Sequence, residues 1–383
     1  MEPLSVFRES KFLYSGMQKE VTPFIPQTAP SYGHKEREAI DLYLQSNAWL
    51  TEFEKTIAFE QEIAKRATTT YASVVPNGTI ALFLAFTALG IKKGDEVIVP
   101  NLTMIATPNA VQLAGGTPVF ADVDSESLCL NPDEVARLIT PRTKAVCHVS
   151  LGGRVGRMES LMELCREKGI PLVEDAAQAF GSSHRGKPVG SFGDIGIYSF
   201  TPHKIITTGQ GGALVTNRED LYQAIERLKD FGRLQGGGDH HDHLGWNFKF
   251  TDLQAVLGLV QLENLDERID KKREIFAHYQ SQLTDVPGVT MLHTNLEETT
   301  PWFIEVFVEK PLALASFLKE QGIGTRPMYP AIHTQPIYAH IQGEFPVSTH
   351  AGAHGLWLPS SLSLTPSEIT RICNAVKEFL RFV

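Results

Sequence analysis

The sequence predicts an α/β fold with a mainly parallel central sheet flanked by helices. Between residues 71 and about 220, short runs rich in β-branched residues alternate with longer runs of helical periodicity, and this alternation is typical of a parallel sheet covered on both faces. The predicted strands are Ala72–Val75, Glu96–Val99, Thr117–Ala121, Ala145–Val149, Leu172–Glu174, Ile195–Ser199 and Ala213–Thr216. The predicted helices are Thr79–Leu89, Ala106–Leu113, Pro132–Leu138 and Met158–Lys168.

The flanking regions predict an N-terminal arm and a smaller C-terminal α+β lobe. Prolines punctuate the arm, and an amphipathic stretch over 252–283 predicts one long helix or a helix pair that leads into the lobe. The other predicted elements are helices Glu36–Leu44, Glu52–Arg66, Leu312–Gln321 and Pro366–Phe382 and a strand Trp302–Glu309. We expect three parts: an arm and first helix over 1–50, a large domain over 51–264 and a small domain over 265–383.

Composition and charge narrow the class of partner. The 383 residues are 42% hydrophobic and 21% charged, with a formal net charge of −9. This balance suits a globular protein with a sizeable core, and the acidic excess argues against nucleic acid or an anionic membrane as the main partner. The four cysteines form no CxxC pair, and the first residues show no signal-peptide pattern. We therefore expect free thiols and a cytoplasmic location.

Lys204 is the residue that most narrows the chemistry. It follows the predicted strand Ile195–Ser199 and lies in a run rich in hydroxyl side chains and glycines that extends to Gly212. A lone lysine is most often a solvated surface residue. An amine between an apolar strand and such a turn is what a pyridoxal phosphate (PLP) enzyme requires, because the amine forms a Schiff base with the cofactor aldehyde.

Asp175 and Gln178 are the predicted partners of the cofactor ring. Asp175 ends the predicted strand Leu172–Glu174, and an acid at the carboxyl end of a parallel strand points into the ligand crevice of an α/β sheet. There its carboxylate would keep the pyridine nitrogen protonated. Gln178 would hydrogen-bond the ring hydroxyl. If Asp175 and Gln178 are considered without the lysine, the simpler alternatives are a capping or salt-bridged aspartate and a surface glutamine.

A phosphate cradle is predicted at the start of the helix Thr79–Leu89. The free N–H groups and the positive dipole end of a helix N-terminus attract a phosphate. Gly78 lets the backbone approach closely, while Thr79 and Ser199 add hydroxyl groups. An ordinary helix N-cap explains Asn77 and Thr79 equally well, so this segment is weak evidence without the lysine and the acid.

Taken in order, these segments resemble the DegT/DnrJ/EryC1/StrS family of sugar aminotransferases, within the fold-type I PLP enzymes. The match runs from about residue 40 to 265 and continues near 326–333, and the number of motifs in one order makes it specific. The matching segments are Trp49–Thr51, Val75–Thr79, Gly94–Pro100, Glu174–Gln178, Gly190–Asp194, Ser199–Gly212, Gly245–Phe250, Leu253–Ala255 and Arg326–Pro330 with His333.

The resemblance implies a role for each cofactor residue. The match to Lys204 binds PLP covalently, the match to Asp175 contacts the pyridine nitrogen, and the match to Gln178 contacts the ring hydroxyl. The phosphate is held by the matches to Gly78, Thr79 and Ser199.

The resemblance also implies a homodimer with shared active sites. The match to Asn247 reaches the phosphate of the neighbouring subunit, so that each site is completed by its partner. His333 matches a histidine near the substrate pocket, with a purely structural histidine as an equal alternative.

Two positions depart from or complicate this pattern. Family members often place an aromatic residue over the PLP ring where this chain has Met104, whose thioether can still pack on a ring. His203 directly precedes Lys204, and a branch of the family that dehydrates sugars carries histidine instead of the lysine. Counting from Ser199 places Lys204 at the cofactor-binding position.

The polar loop over 234–243 and two arginines are also considered as binding groups. Five adjacent polar residues, Asp239–His243, lack the separation that usually builds a metal site, so we expect a polar loop near the pocket entrance and no metal. Arg233 and Arg326 are candidates for binding an anionic group of the substrate, although surface pairing is the commoner fate of an arginine.

These observations predict an aminotransferase that moves an amino group, from glutamate as in the family, to a keto or aldehyde sugar. Lys204, freed by the donor, would act as base and acid in the proton shift. The expected sugar is a nucleotide-linked 4-keto-6-deoxyhexose or a sugar acid of the 8-oxo-Kdo type, for a surface polysaccharide. Two alternatives are a PLP-dependent sugar dehydratase and a non-catalytic sensor with the same fold. A nicotinamide dehydrogenase is disfavoured because no GxGxxG follows the first strand of the 71–220 region.

Overall fold

The computed structural model describes residues 23–233 and 238–382. Its helices are α1 His34–Gln45, α2 Glu54–Ala67, α3 Gly78–Ala88, α4 Ala106–Leu113, α5 Pro132–Leu138, α6 Met158–Lys168, α7 Glu219–Lys229, α8 Asp252–Glu263, α9 Leu265–Leu283, α10 Pro311–Glu320, α11 Pro346–His354 and α12 Pro366–Leu380. Its strands are β1 Tyr71–Val75, β2 Glu96–Pro100, β3 Thr117–Ala121, β4 Thr143–Val149, β5 Leu172–Asp175, β6 Ser183–His184, β7 Lys187–Pro188, β8 Ile195–Ser199, β9 Gly212–Thr216, β10 Val289–Thr290, β11 Ile304–Val308, β12 Arg326–Pro327 and β13 Gly355–Leu358.

A seven-stranded central sheet confirms the predicted α/β architecture. The strand order is β1-β9-β8-β5-β4-β2-β3, and β9 runs antiparallel to both of its neighbours while the other adjacent pairs are parallel. Each of the seven predicted strands is present within two residues of its predicted bounds.

Both faces of this sheet are buried. In β2, Val97 and Val99 pack into one hydrophobic cluster and Ile98 into another, because successive side chains of a strand point to opposite faces. In β9, Leu214 and Val215 divide in the same way. This explains why the strands are continuously apolar in sequence rather than alternating.

A four-stranded antiparallel sheet, in the order β10-β11-β13-β12, forms the core of the C-terminal lobe with α9, α10 and α12. The predicted stretch 252–283 is a helix pair, because α8 ends at Glu263 and α9 begins at Leu265. Ile25 from the N-terminal arm packs into this lobe and exchanges backbone hydrogen bonds of 2.8–2.9 Å with Gly322 and Gly324. The domain bounds themselves stay a prediction.

None of the helices in residues 23–233 and 238–382 combines the length and the apolarity that a bilayer-spanning helix needs.

Two groups of hydrogen bonds join the carboxyl edge of the central sheet to the segment 326–354. After β3, the carboxylate of Asp122 accepts the backbone N–H groups of Val347 and Ser348, each at 2.9 Å, and so caps the start of α11. After β2, the amide of Asn101 accepts the N–H of His333 at 3.0 Å and contacts its ring nitrogen at 2.8 Å. The segment is thereby fixed above the sheet edge.

The carboxylate of Asp252 fastens the start of α2 to the start of α8. It is buried and accepts the N–H groups of Phe53, Lys55 and Thr56 at 2.8–2.9 Å, the Thr56 hydroxyl at 2.7 Å and the Tyr43 hydroxyl at 3.1 Å. Burial alone would raise the pKa of Asp252, but the hydrogen bonds from Thr56, Lys55 and Phe53 hold it below its usual value.

We predict that Asp252→Asn lowers the stability of the folded chain by about 2–4 kcal/mol at neutral pH, because an amide cannot satisfy all of these buried donors. The folded-state pKa of Asp252 is depressed, so its contribution is present above the unfolded value of about 3.9 and is lost as pH falls through the folded value. Thermal unfolding at one protein concentration, from pH 7 to pH 3, measures both effects.

The matched control is Asp266→Asn, which breaks an exposed ion pair with Arg66 and should cost about 0–1 kcal/mol. Equal unfolding midpoints for the Asp252 and Asp266 variants would contradict the assignment.

Candidate active site

The carboxyl ends of the parallel strands meet at one edge of the central sheet, and this edge carries the candidate site. Asp175 is the last residue of β5, Ser199 is the last residue of β8, and Asn101 follows β2. Strand ends at such an edge form the ligand crevice of an α/β sheet. All three side chains are buried.

Two hydrogen bonds hold the carboxylate of Asp175. The Thr107 hydroxyl donates to one oxygen at 2.8 Å and the N–H of Ala177 donates to the other at 3.2 Å. Burial raises the pKa of Asp175, while these bonds and the charge of Lys204 lower it. Sequence reasoning missed Thr107; its place in the hydroxyl-containing run after β2, which starts at Thr103, is the one signal that pointed to it.

Lys204 is half-buried, and its amine points inward, above the indole of the buried Trp302 at 4.1 Å from the ring centroid. Burial lowers the pKa of Lys204 to about 7; the carboxylate of Asp175 opposes that change, and the guanidinium of Arg326 adds to it. The amine is therefore electrostatically coupled to both residues.

Gln178 shares a cavity with Ser199, Lys204 and Trp302. Its side-chain oxygen accepts the N–H of Gly152 at 2.8 Å, which sets the direction of the amide. Gly152 has φ of 66°, a left-handed conformation that suits glycine. Sequence reasoning missed this partner.

The predicted cradle is a close contact between a helix start and two strand ends. Asn77 caps α3 by accepting the N–H of Ile80 at 3.0 Å. A Cβ atom on Gly78 would lie 3.2 Å from the Cβ of Ser199, and one on Gly212 would lie 2.6 Å from the carbonyl carbon of Asn77. Position 212 therefore requires glycine.

Thr79, which follows Gly78 in the first turn of α3, is exposed. Its hydroxyl lies at the surface of this cradle.

Arg326 and His333 reach the same region from the C-terminal lobe. The guanidinium of Arg326 lies 5.6 Å from the ring of Tyr329 and 5.4 Å from that of Trp357. The ring of His333 lies 4.9 Å from that of Phe345, tilted by 38°, and is held by Asn101, a partner that sequence reasoning also missed.

His203 has a different environment from Lys204. Its ring packs 5.6 Å from that of Trp302, and its carbonyl accepts the indole N–H at 3.0 Å. Burial, with the charges of Lys204 and Arg326, lowers its pKa to about 4. The ring is therefore neutral at pH 7.

Arg233 and Asn247 contact Asp230 and none of the site residues named above, whereas the carbonyl of Met104 accepts the N–H of Thr107 at 3.1 Å. Met104 is 46% exposed, and its sulfur accepts the N–H of Ala106 at 3.1 Å. Asn247 is exposed beside Asp230. Arg233 pairs with Asp230 at 3.0 Å and is 3.5 Å from Asp239.

The polar loop is described from residue 238 onward, and residues 234–237 lie outside the described ranges. His240 pairs with Asp242 at 2.8 Å, and a ring nitrogen of His241 lies 2.9 Å from the carbonyl of Phe231. Within the described part of the chain, no three His, Cys, Asp or Glu side chains are grouped so as to hold a metal ion.

Comparison with known proteins agrees with this fold. The model of the DegT/DnrJ/EryC1/StrS aminotransferase family matches residues 30–377. GDP-perosamine synthase of Escherichia coli O157:H7 is 37% identical, over 93% of this chain and 98% of its own length. The dTDP-4-dehydro-2,3,6-trideoxy-D-glucose 4-aminotransferase of Saccharopolyspora spinosa is 34% identical, over 90% and 94%. The solved aminotransferase TlmJ of Streptoalloteichus hindustanus has a TM-score of 0.89 at 32% identity, covering 94% of this chain and 99% of its own.

The fold, the family model and these relatives therefore define an α/β aminotransferase. The chain belongs to the DegT/DnrJ/EryC1/StrS aminotransferase family, whose members use PLP. This membership confirms the resemblance drawn from the motifs and the fold class that it implied.

We predict that Arg326→Gln raises the pKa of Lys204 and that Asp175→Asn lowers it, because the first change removes a repelling charge and the second an attracting one. Acylation of the cofactor-free chain across pH 5–10 (approximate range), followed by mass spectrometry of the Lys204 peptide, measures each midpoint. Arg157→Gln, which breaks a surface pair with Asp133, is the control and should leave the midpoint unchanged. Shifts of the same sign in both variants would contradict this account.

Proposed function

We propose that this enzyme uses PLP to transfer an amino group, from L-glutamate, to the carbonyl group of a sugar. The observation that carries the proposal is the half-buried Lys204, whose amine is electrostatically coupled to the Asp175 carboxylate at the carboxyl edge of the sheet. The family and the relatives named above support the reaction class.

The residues present fit this cofactor. A pyridine ring needs a buried carboxylate, and Asp175 is held in place by Thr107 and Ala177. A phosphate needs free N–H groups with room for close approach, and the start of α3 offers them at Gly78 beside Ser199. PLP, when bound, supplies an electron sink for the carbon that loses a proton.

Each residue then has a definable task. Lys204, with a pKa of about 7, exists in both protonation states at neutral pH and is suited to accept a proton and return it. Asp175 balances positive charge on the ring nitrogen. Gln178 orients the ring through its amide, which Gly152 holds. His203, whose pKa is about 4, is a poor proton acceptor at the same pH.

For the sugar, we propose a nucleotide-linked 4-keto-6-deoxyhexose, with its product used in a surface polysaccharide. The support is the naming of two relatives, a GDP-perosamine synthase and a dTDP-sugar 4-aminotransferase. The exposed Arg326 and the Asn101-bound His333 are the proposed substrate contacts, because a guanidinium recognises diphosphate and sugar hydroxyl groups bond to imidazole. A sugar acid of the 8-oxo-Kdo type is the competing substrate.

We predict that the purified protein with PLP has a visible absorbance band that fades on addition of glutamate and returns on addition of a GDP- or dTDP-linked 4-keto sugar. Lys204→Ala should abolish the band and lower the turnover rate by at least about 10³-fold, because the nucleophile and proton carrier are one residue. The control is Lys65→Ala, which removes an exposed lysine of α2.

A band that ignores glutamate but changes with the sugar alone would favour the dehydratase reaction. A protein that binds no PLP would end the proposal. Return of the band with 8-oxo-Kdo but not with the nucleotide sugars would replace the substrate.

We also propose a homodimer with shared active sites. Apolar side chains at the end of α1 and the start of α2 are exposed in the single chain, including Trp49 at 68% and Leu50 at 49%. A contiguous exposed apolar patch of this kind favours burial against another chain. Asn247 is exposed as well, which leaves its side chain free to complete the site of a partner.

We predict that two inactive variants, Lys204→Ala and Asn247→Asp, regain activity when refolded together. If the two residues act in one site across the interface, half of the randomly mixed dimers carry one intact site, which restores about a quarter of the wild-type rate. Sedimentation verifies that the mixture is dimeric. Dimers without recovered activity would place both residues in sites of the same chain.

A cytoplasmic location is part of this proposal. All four cysteines are unpaired and buried, which suits a reducing compartment.

A further inference from the structure

All three polar groups of Trp302, its backbone N–H, its carbonyl and its indole N–H, are hydrogen-bonded to residues in or beside the candidate active site. Its N–H donates to the carbonyl of Gly152 at 3.3 Å, and its carbonyl accepts from the amine of Lys272 at 2.6 Å. Its indole N–H donates to the carbonyl of His203 at 3.0 Å, and the face of its ring lies 4.1 Å below the amine of Lys204. Three other chain segments therefore meet at this one residue, two of them at its backbone (Gly152 and Lys272) and one at its indole (His203–Lys204).

Lys272 is an unusual support for this tryptophan. It lies on α9, its side chain is buried, and both of its acceptors are backbone carbonyls, those of Trp302 and of Ser360 at 2.7 Å. Burial lowers its pKa to about 7, and among the described residues no acid opposes that change. An apolar side chain would fill this space without the free energy that an amine loses when it leaves water. We therefore infer that the Lys272 amine serves to hold the two carbonyl groups in position.

The same tryptophan also reaches the residue that orients the cofactor ring. Gly152 accepts a hydrogen bond from Trp302 through its carbonyl and donates one to Gln178 through its N–H. A shift of Trp302 would therefore move two site residues at once, Lys204 directly and Gln178 through Gly152.

We propose that Trp302 is a positioning residue of the transamination: its indole face holds the ammonium group of Lys204 whenever that amine is not bound to the cofactor, and Lys272 fixes the backbone that carries the indole. Cation–π attraction to tryptophan is strongest where water is excluded, as it is in this buried cluster with Phe303 and Trp357. The amine is thereby kept inside the site during the proton transfer instead of turning toward solvent. The kinetic part of this inference rests on the proposed function.

The contact is testable on the cofactor-free chain by tryptophan emission. Subtracting the emission of Trp302→Phe from that of the wild type isolates Trp302 from the other three tryptophans. Its emission should change in one step near pH 7, when Lys204 titrates. The other charged or titratable groups that face the cluster are His203, Asp175, Arg326 and Lys272.

Lys204→Met should remove that step, because it keeps the length of the side chain and removes the charge. His203→Gln should leave the step near pH 7 and remove any change near pH 4. Because Lys272 also titrates near pH 7 and bonds the carbonyl of Trp302, it accounts for any smaller step that remains in Lys204→Met, whereas a step of undiminished size in that variant would overturn the proposed contact.

Kinetics then test the positioning role. Trp302→Phe keeps a weaker aromatic face and should lower kcat about 3–10-fold, whereas Trp302→Leu keeps none and should lower it about 100-fold, with KM for glutamate changed less than about threefold. Lys272→Met should lower kcat about tenfold. Its matched control is Lys271→Met, an adjacent lysine of α9 on the exposed side, which should behave as wild type.

A residue that only fills the core would give the opposite pattern: Trp302→Leu would lower the unfolding midpoint and leave kcat unchanged in the folded fraction. That result overturns the inference. A wild-type protein without transaminase activity would defeat the proposed function instead, and the emission titration would still decide whether Lys204 and Trp302 are in contact.

Discussion

Two opposite charges removed from water, on Asp175 and Lys204, are the constraint around which this molecule is organised. Neither group is stable in an apolar interior without compensation. The carboxylate of Asp175 is stabilised by hydrogen bonds from Thr107 and Ala177. The amine of Lys204 is stabilised by the ring face of Trp302 and by the charge of Asp175. The parallel strands bring these groups to one edge, and the helices keep water from both faces of the sheet.

The C-terminal lobe supplies the second half of that environment. Asn101 and Asp122 at the sheet edge bind the backbone of 333–348, and an apolar cluster that includes Leu102, Leu151 and Trp357 fills the space between. A buried ion pair of Arg154 with Glu305, at 2.6 Å, crosses the same boundary. Directional contacts of this kind set a distance between the two parts more sharply than apolar packing alone, because a shift breaks a buried hydrogen bond.

The sequence predicted those features that depend on local order along the chain. The strands between residues 71 and 216 were predictable because each is a short apolar run between turn residues. The positions of Asp175 and Ser199 were predictable because they end strands, and that of Lys204 because it lies shortly after one. The helix α7 is absent from the predicted set, and the single periodic stretch 252–283 did not reveal the break at Asn264. Periodicity continues through a one-residue break and therefore does not mark it.

The partners of the site residues were not predictable, because distant segments supply them. Thr107 is 68 positions from Asp175, and Asn101 is 232 positions from His333. Gly152, Trp302 and Lys272 belong to no sequence motif. Their proposed roles follow only from the residues that they contact in the folded chain. Met104 and Asn247 were named from the resemblance and Arg233 from the chemistry of its guanidinium, and the roles of all three remain predictions.

The close contact at Gly212 has a consequence for how this scaffold can vary. Because β9 runs against β1 and β8, its first residue lies between Val75 and Ser199, directly under the loop that begins α3. No side chain fits there, so this corner of the crevice has a fixed shape. The stretch 326–354, which arrives from the smaller lobe, is bound to the sheet edge at Asn101 and Asp122 and takes no part in this close contact. The corner proposed for the phosphate and the stretch proposed for the sugar are thus separate pieces of the chain, and a change in the second need not disturb the first.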